Sequence, residues 1–190
     1  MAGSIQSLWV RESTNESTHE KVDEFAQIYS REFDYVWETV RRLGARARDQ
    51  EDLVHDVFLR VHGSLGTFDH ARPMRPWLFG IAFRVVSEER RSGRNRFEVN
   101  REDHEFVSSE HTPEQIAMAS EARVKVNAAV ARLPSEQQFV FVAHELCDVS
   151  IADLVELAGV PLNTLYSRLR LARVAFANAL HEIVGVEVNP

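Results

Sequence analysis

The residues whose types and spacing best suit chemistry lie between Ser150 and Arg173. On a helix, Asn163, Tyr166, Ser167, Arg170 and Val174 share one face, with Thr164, Arg168 and Arg173 on its flanks. The other face carries Leu162, Leu165, Leu169, Ala172 and Phe176 at the 3.6-residue period of a buried stripe. Arginine offers a forked pair of donors that fits the acceptor edge of guanine, and a single charge that fits a phosphate. Upstream, Ser150 to Leu157 reads as a short helix, Ala158-Gly159-Val160 as a tight turn, and Pro161 stands near a helix start, where proline is tolerated. Two helices joined by a glycine-containing turn, the second polar on its outer side, form a helix-turn-helix. An ordinary helical hairpin with solvated arginines has the same pattern without the chemistry.

A second constellation is Asp52, His55 and Asp56, at i, i+3 and i+4 on one helix face, with Leu53, Val54, Val57 and Phe58 on the other. An acidic face without a local partner suits either solvent or a basic surface of another protein. A third combines the aromatics Phe68, Trp77 and Phe79 with Arg84, Arg90, Arg91, Arg94 and Arg96. Aromatic rings stack on unpaired bases and arginines hold phosphates. Trp77 also fits a core position, in helical register with Ile81, and Glu88 and Glu89 weaken the basic patch. Eight histidines are scattered, without a His-Glu-x-x-His motif, a phosphate loop or a glycine-flanked carboxylate pair. His55 and His62 could share a face but lack a third ligand. No catalytic residue, metal or cofactor is expected.

These groups must be positioned by helices. Glycine and proline are few and sit at breaks, so the chain is expected to be all-α. One helix is expected over Val22–Gly44, a second from Asp49 to about Gly63, a third from Trp77 to about Arg91, and a fourth from about Pro113 into the helix-turn-helix. Residues 1–20 read as a flexible tail, 21–97 as an N-terminal domain, 98–114 as an acidic flexible linker, and 115–185 as a C-terminal domain. Each half is a small helical bundle. The net charge of −7 argues against a generally basic surface, so local clusters matter more. Cys147 is the single cysteine, which excludes an internal disulfide and fits a reducing cytoplasm. No stretch is apolar enough for membrane insertion and no signal peptide is apparent.

With both halves in view, the chain resembles the extracytoplasmic-function (ECF) group of bacterial sigma factors. The resemblance rests first on Glu51-Asp52-Leu53-Val54-His55-Asp56-Val57-Phe58-Leu59-Arg60, continued by Leu65, Phe68-Asp69 and Arg75-Pro76-Trp77-Leu78-Phe79-Gly80-Ile81-Ala82. It rests second on Leu133-Pro134, Gln138, Ser150-Ile151 and the run from Gly159 to Leu169, with Ala172-Arg173. The resemblance implies that Asp52, His55 and Asp56 bind core RNA polymerase. It implies that the loop Leu65–Asp69 holds a flipped base of the promoter −10 element, with Phe68, Trp77, Arg84, Arg90, Arg91 and Arg94 along the DNA. At the −35 element it places Tyr166, Ser167, Arg170 and Leu171 at bases, and Asn163, Thr164, Arg168 and Arg173 near phosphates. Arg168 alternatively fits a structural pair with Glu156 or Asp153. An anti-sigma factor is an implied partner. The chain departs from the group at His55 (usually Gln), Gly80 (Arg), Arg84 (Asn), Asn163 (Gly) and Tyr166 (basic). The competing reading is an autonomous helix-turn-helix regulator that acts without polymerase.

Overall fold

The computed structural model describes residues 6–93 and 113–185. Among them every regular element is helical. The N-terminal half contains α1 (Gln6–Arg42), α2 (Ala47–Ser64), a short turn of tighter helix (Leu65–Thr67) and α3 (Met74–Gly93). The C-terminal half contains α4 (Pro113–Ala131), α5 (Ser135–Phe141), a wider helical turn over Val142–Leu146, α6 (Ile151–Ala158) and α7 (Leu162–Gly185). The expected linker lies outside the described residues up to Thr112, and Pro113 and Glu114 already belong to α4.

Local chemistry explains most boundaries. Gly44 turns the chain from α1 into α2 at φ 83°, a conformation that a side chain would strain. Pro76 falls in the first turn of α3, where its missing N–H leaves no helical hydrogen bond unmade. Ser150 caps α6: its hydroxyl accepts from the Asp153 N–H at 3.1 Å and donates to the Asp153 carboxylate at 2.6 Å. Gly159 closes α6 in the left-handed conformation at φ 64°. Two starts differ from expectation. The first helix begins at Gln6 rather than Val22, and α3 begins at Met74, three residues before Trp77. A proline at the third helical position does not mark the boundary, which is why the start of α3 is misread from sequence.

The two halves do not stand apart. Buried side chains of α1, α2 and α3 are continuous with those of α5, α6 and α7 in one core. Phe139 of α5 packs edge-on against Phe79 and Phe83 of α3, at centroid separations of 5.4 and 5.0 Å. Arg90 of α3 donates to the Gln138 side chain at 2.7 Å and to the Leu43 carbonyl. Arg42 of α1 donates to the carbonyl of Leu146 in the wide turn, and the Thr39 hydroxyl meets the Cys147 sulfur at 3.7 Å. Two bundles were expected; their close packing was not.

Candidate nucleic-acid interface

The helix-turn-helix is built as its sequence requires. Leu165, Leu169 and Ala172 of α7 are buried against a core that includes Leu154 of α6. Phe176 is half-buried and stacks on Phe141 at 4.7 Å. Leu162, expected in the same stripe, is 46% exposed, because it precedes the point where α7 meets α5 and α6. On the outer side Asn163, Tyr166, Ser167, Arg170 and Leu171 are all exposed, and Thr164 is half-buried. Arg170 makes no hydrogen bond or ion pair among the described residues. Two other arginines of this helix are engaged. Arg168 pairs at 2.7 Å with Glu136 of α5, rather than with Glu156 or Asp153. Arg173 donates from Nε to Glu145 at 3.0 Å.

The face of α2 separates cleanly into two sides. Leu53, Val54, Val57 and Phe58 are buried, while Asp52, His55 and Asp56 are exposed. Among the described residues none of these three takes part in an ion pair. Leu59, one turn beyond His55, is 58% exposed. Sequence periodicity overlooks it, since nothing in the pattern says that a leucine next to Phe58 faces outward. It leaves an exposed apolar side chain beside the acidic face.

The loop between α2 and α3 shapes a cleft of about 330 Å³, lined by Thr67, Phe68, Asp69, Arg72, Pro73, Pro76 and Trp77. Phe68 and Trp77 lie with ring centroids 4.6 Å apart, both half-buried. Trp77 is therefore neither fully core nor freely exposed. The opposite wall is Asp153, Glu156 and Leu157 of α6. Glu156 reaches Arg72 at 2.9 Å, and Leu157 sits against Gly80, where an added Cβ would come within 2.7 Å of its Cδ1. Of the arginines expected along DNA, Arg84 and Arg91 are exposed on α3. Arg90 is half-buried and tied to Gln138 and Leu43, between the two halves. Arg94 lies outside the described residues. Sequence reasoning passed over Arg31 and Arg72, and took Arg75 only as part of the family motif; the fold brings all three beside this loop from α1, the loop itself and the start of α3.

The isolated thiol is structural. Burial pushes the Cys147 thiol above its ordinary range, with Thr39 and Arg42 acting in the opposite sense. Among the described residues no cluster of histidine, cysteine and carboxylate side chains could hold a metal, and no helix is long and apolar enough to cross a membrane.

Comparison with known proteins agrees with this geometry. The Sigma-70 region 2 family matches residues 28–96, and the Sigma-70 region 4 family matches residues 123–176. The ECF RNA polymerase sigma factor SigL of Mycobacterium tuberculosis is 30% identical over 157 residues, covering 82% of this chain and 88% of the relative. SigW of Bacillus subtilis is 21% identical over 170 residues, covering 85% and 91%. Two solved structures share the fold. CnrH in complex with the cytosolic domain of CnrY has a TM-score of 0.62 at 20% identity, covering 83% of this chain and 88% of that one. RpoE of Bartonella quintana, in complex with the anti-sigma factor NepR, has a TM-score of 0.61 at 19% identity, covering 88% and 99%. A region 2 bundle followed by a region 4 helix-turn-helix, with the SigL likeness running through both, places the chain in the family of ECF RNA polymerase sigma factors.

Proposed function

We propose a division of labour for this sigma factor, which directs RNA polymerase to promoters. The exposed Asp52, His55 and Asp56 of α2, with Leu59 one turn further along the same side, dock on a basic surface of core polymerase. The loop Leu65–Asp69 and the Phe68–Trp77 pair take an unpaired base at the −10 element, with Arg84, Arg91 and Arg94 toward phosphates. The outer face of α7 reads the −35 element: Tyr166, Ser167, Arg170 and Leu171 at bases, Asn163, Thr164, Arg168 and Arg173 at the backbone. The protein acts in the cytoplasm with polymerase and has no chemistry of its own; nucleotide addition belongs to the polymerase. The observation that carries this reading is the exposure of Asn163, Tyr166, Ser167 and Arg170 together on the second helix of the helix-turn-helix.

In the packed arrangement Glu156 and Leu157 close the cleft beside Phe68, and Arg90 is held by Gln138. Polymerase binding must therefore separate the halves before the −10 surface is available. In the two similar structures CnrH is in complex with the cytosolic domain of CnrY, and RpoE with the anti-sigma factor NepR. A partner of the anti-sigma class would keep this chain from polymerase by holding the same closed form. The test is reconstitution. Purified protein added to core polymerase should initiate RNA from a subset of a randomised promoter library, with fixed −10 and −35 preferences. Sequence-specific DNA binding without polymerase, and no polymerase-dependent initiation, would favour an autonomous regulator instead.

A further inference from the structure

The inner stripe of α1 runs Ile28, Glu32, Val36, Val40, and all four are buried. Three are apolar; the second is a carboxylate with its side chain 7% exposed. A buried carboxylate is costly unless paired, and an apolar residue in its place is often neutral or stabilising. Packing alone does not call for Glu32 here. Its two oxygens are both taken: Arg31 Nε donates to Oε1 at 2.8 Å, and Arg75 Nε donates to Oε2 at 3.1 Å. The Arg75 guanidinium lies 5.0 Å from the Tyr35 ring centroid, and the Tyr35 hydroxyl donates to the Arg75 carbonyl at 3.2 Å. Arg75 is thus fixed through its Nε, its ring contact and its own backbone. Its side chain is nevertheless 63% exposed, and its terminal nitrogens have no hydrogen-bond partner among the described residues. Arg31 meets the other carboxylate oxygen through its Nε, has one terminal nitrogen against Met74 Sδ at 3.8 Å, and keeps its side chain 62% exposed. Two arginines against one carboxylate leave a net positive charge. Arg75 does not itself line the cleft; it directly precedes Pro76 and Trp77, which do, at the start of α3.

We propose that Arg75, held by Glu32 with Arg31 and Tyr35, is a phosphate seat for the promoter strand that enters the cleft at Phe68, and that Glu32 is its positioning residue. A guanidinium already fixed at Nε presents its two remaining nitrogens as a preformed fork for phosphate oxygens. Holding it in advance removes part of the ordering cost of binding. The inference rests on the assignment of the 65–69 loop to promoter opening.

The experiment uses holoenzyme on a promoter recovered from the library with wild-type protein. Open-complex formation is followed by permanganate reactivity of unpaired thymines across a salt series. Arg75→Gln, at an exposed position, is expected to fold as wild type and bind core polymerase equally. It should open the promoter several-fold less well and make the salt dependence shallower by about one phosphate, a slope change of about 0.7 for a single strand. Glu32→Met gives a decisive sign. It adds one positive charge to the molecule, so a carboxylate that merely repels DNA would, on removal, improve opening. A positioning carboxylate would, on removal, weaken opening at unchanged thermal stability. Arg75→Lys, which keeps the charge without the fork, should retain the salt slope but not full opening. An unchanged slope in Arg75→Gln, or improved opening in Glu32→Met, overturns the proposal. Phe68→Ala separates the two levels. If it opens the promoter normally, the loop assignment fails and this inference with it; if it is defective while Arg75→Gln is not, the phosphate seat alone fails.

Discussion

At the scale of single residues, the three arginines of α7 differ in what binding must undo. Among the described residues Arg170 is unpaired and exposed, so its forked donors can reach a guanine edge without breaking another contact there. Arg170→Ala should cost about 1–3 kcal/mol at the preferred −35 element and flatten the preference at one or two base pairs. Arg173 must first leave Glu145, and Arg168 must leave Glu136. The Arg173 pair is exposed, where such pairs contribute only about 0–1 kcal/mol. Arg173→Ala should therefore weaken all sequences alike and by less than a free arginine would. Glu145→Gln should slightly strengthen binding to every sequence. Transcription from a randomised −35 library with these variants is the measurement. Changed base preferences in Arg173→Ala, with none in Arg170→Ala, would mean that α7 presents a different face to DNA. The cap of α6 belongs to this scale too. Ser150→Ala removes the acceptor for the Asp153 N–H and should lower stability by about 1 kcal/mol, read as a lower thermal midpoint.

At the scale of elements, α2 gives one side to the core and, on the proposed reading, the other to a partner. Its buried side is made of Gln50, Leu53, Val54, Val57, Phe58 and Val61, so changes on the outer side should leave the fold alone. Reversing charge at Asp52 and Asp56 together should reduce core-polymerase capture while helicity and thermal unfolding stay nearly constant. Full capture by the double variant would move the docking surface elsewhere. Leu59→Ser should reduce capture as well, since an apolar anchor amid charges loses most when truncated. Helix periods and glycine stops made these elements legible in the sequence, down to the buried sides of α2 and, apart from the exposed Leu162, of α7. Less legible was anything that depends on neighbours distant in the chain. The wide turn at Val142–Leu146, where the Cys147 N–H reaches back to Val142 at 3.0 Å, leaves no mark in the hydrophobic period. Arg90 reads as a solvent-facing cation near a helix end, yet it spans 47 residues to Leu43 and 48 to Gln138. Arg72, and the place of Arg75 beyond its motif, were hidden by the prolines beside them, which read as loop punctuation and not as the frame of a cleft.

At the scale of the molecule, one glycine decides how closely the halves can approach. Gly80 stands where the resemblance to the group leads one to expect arginine. Leu157 of α6 occupies the space that any side chain there would need, its Cδ1 within 2.7 Å of a built Cβ. A methyl group could be met by a small shift of the leucine tip, whereas a guanidinium could not. Gly80→Arg should therefore open the molecule without unfolding either half. Cys147 supplies the readout, because it is the single cysteine and lies buried beneath Thr39 and Arg42 of the other half. Burial also raises its thiol's affinity for the proton, so the closed form should react slowly with a thiol reagent. In Gly80→Arg the labelling rate should rise by about tenfold or more, corresponding to at least about 1.4 kcal/mol withdrawn from the closed form. Small-angle scattering should show a larger radius of gyration, and core polymerase should be captured faster. Gly80→Ala with Leu157→Ala keeps the space balanced and should label at close to the wild-type rate. Unchanged labelling in a folded Gly80→Arg protein would show that α3 and α6 are not held together in solution. The −10 surface would then be open in the free protein, and its control would have to lie with polymerase or another partner.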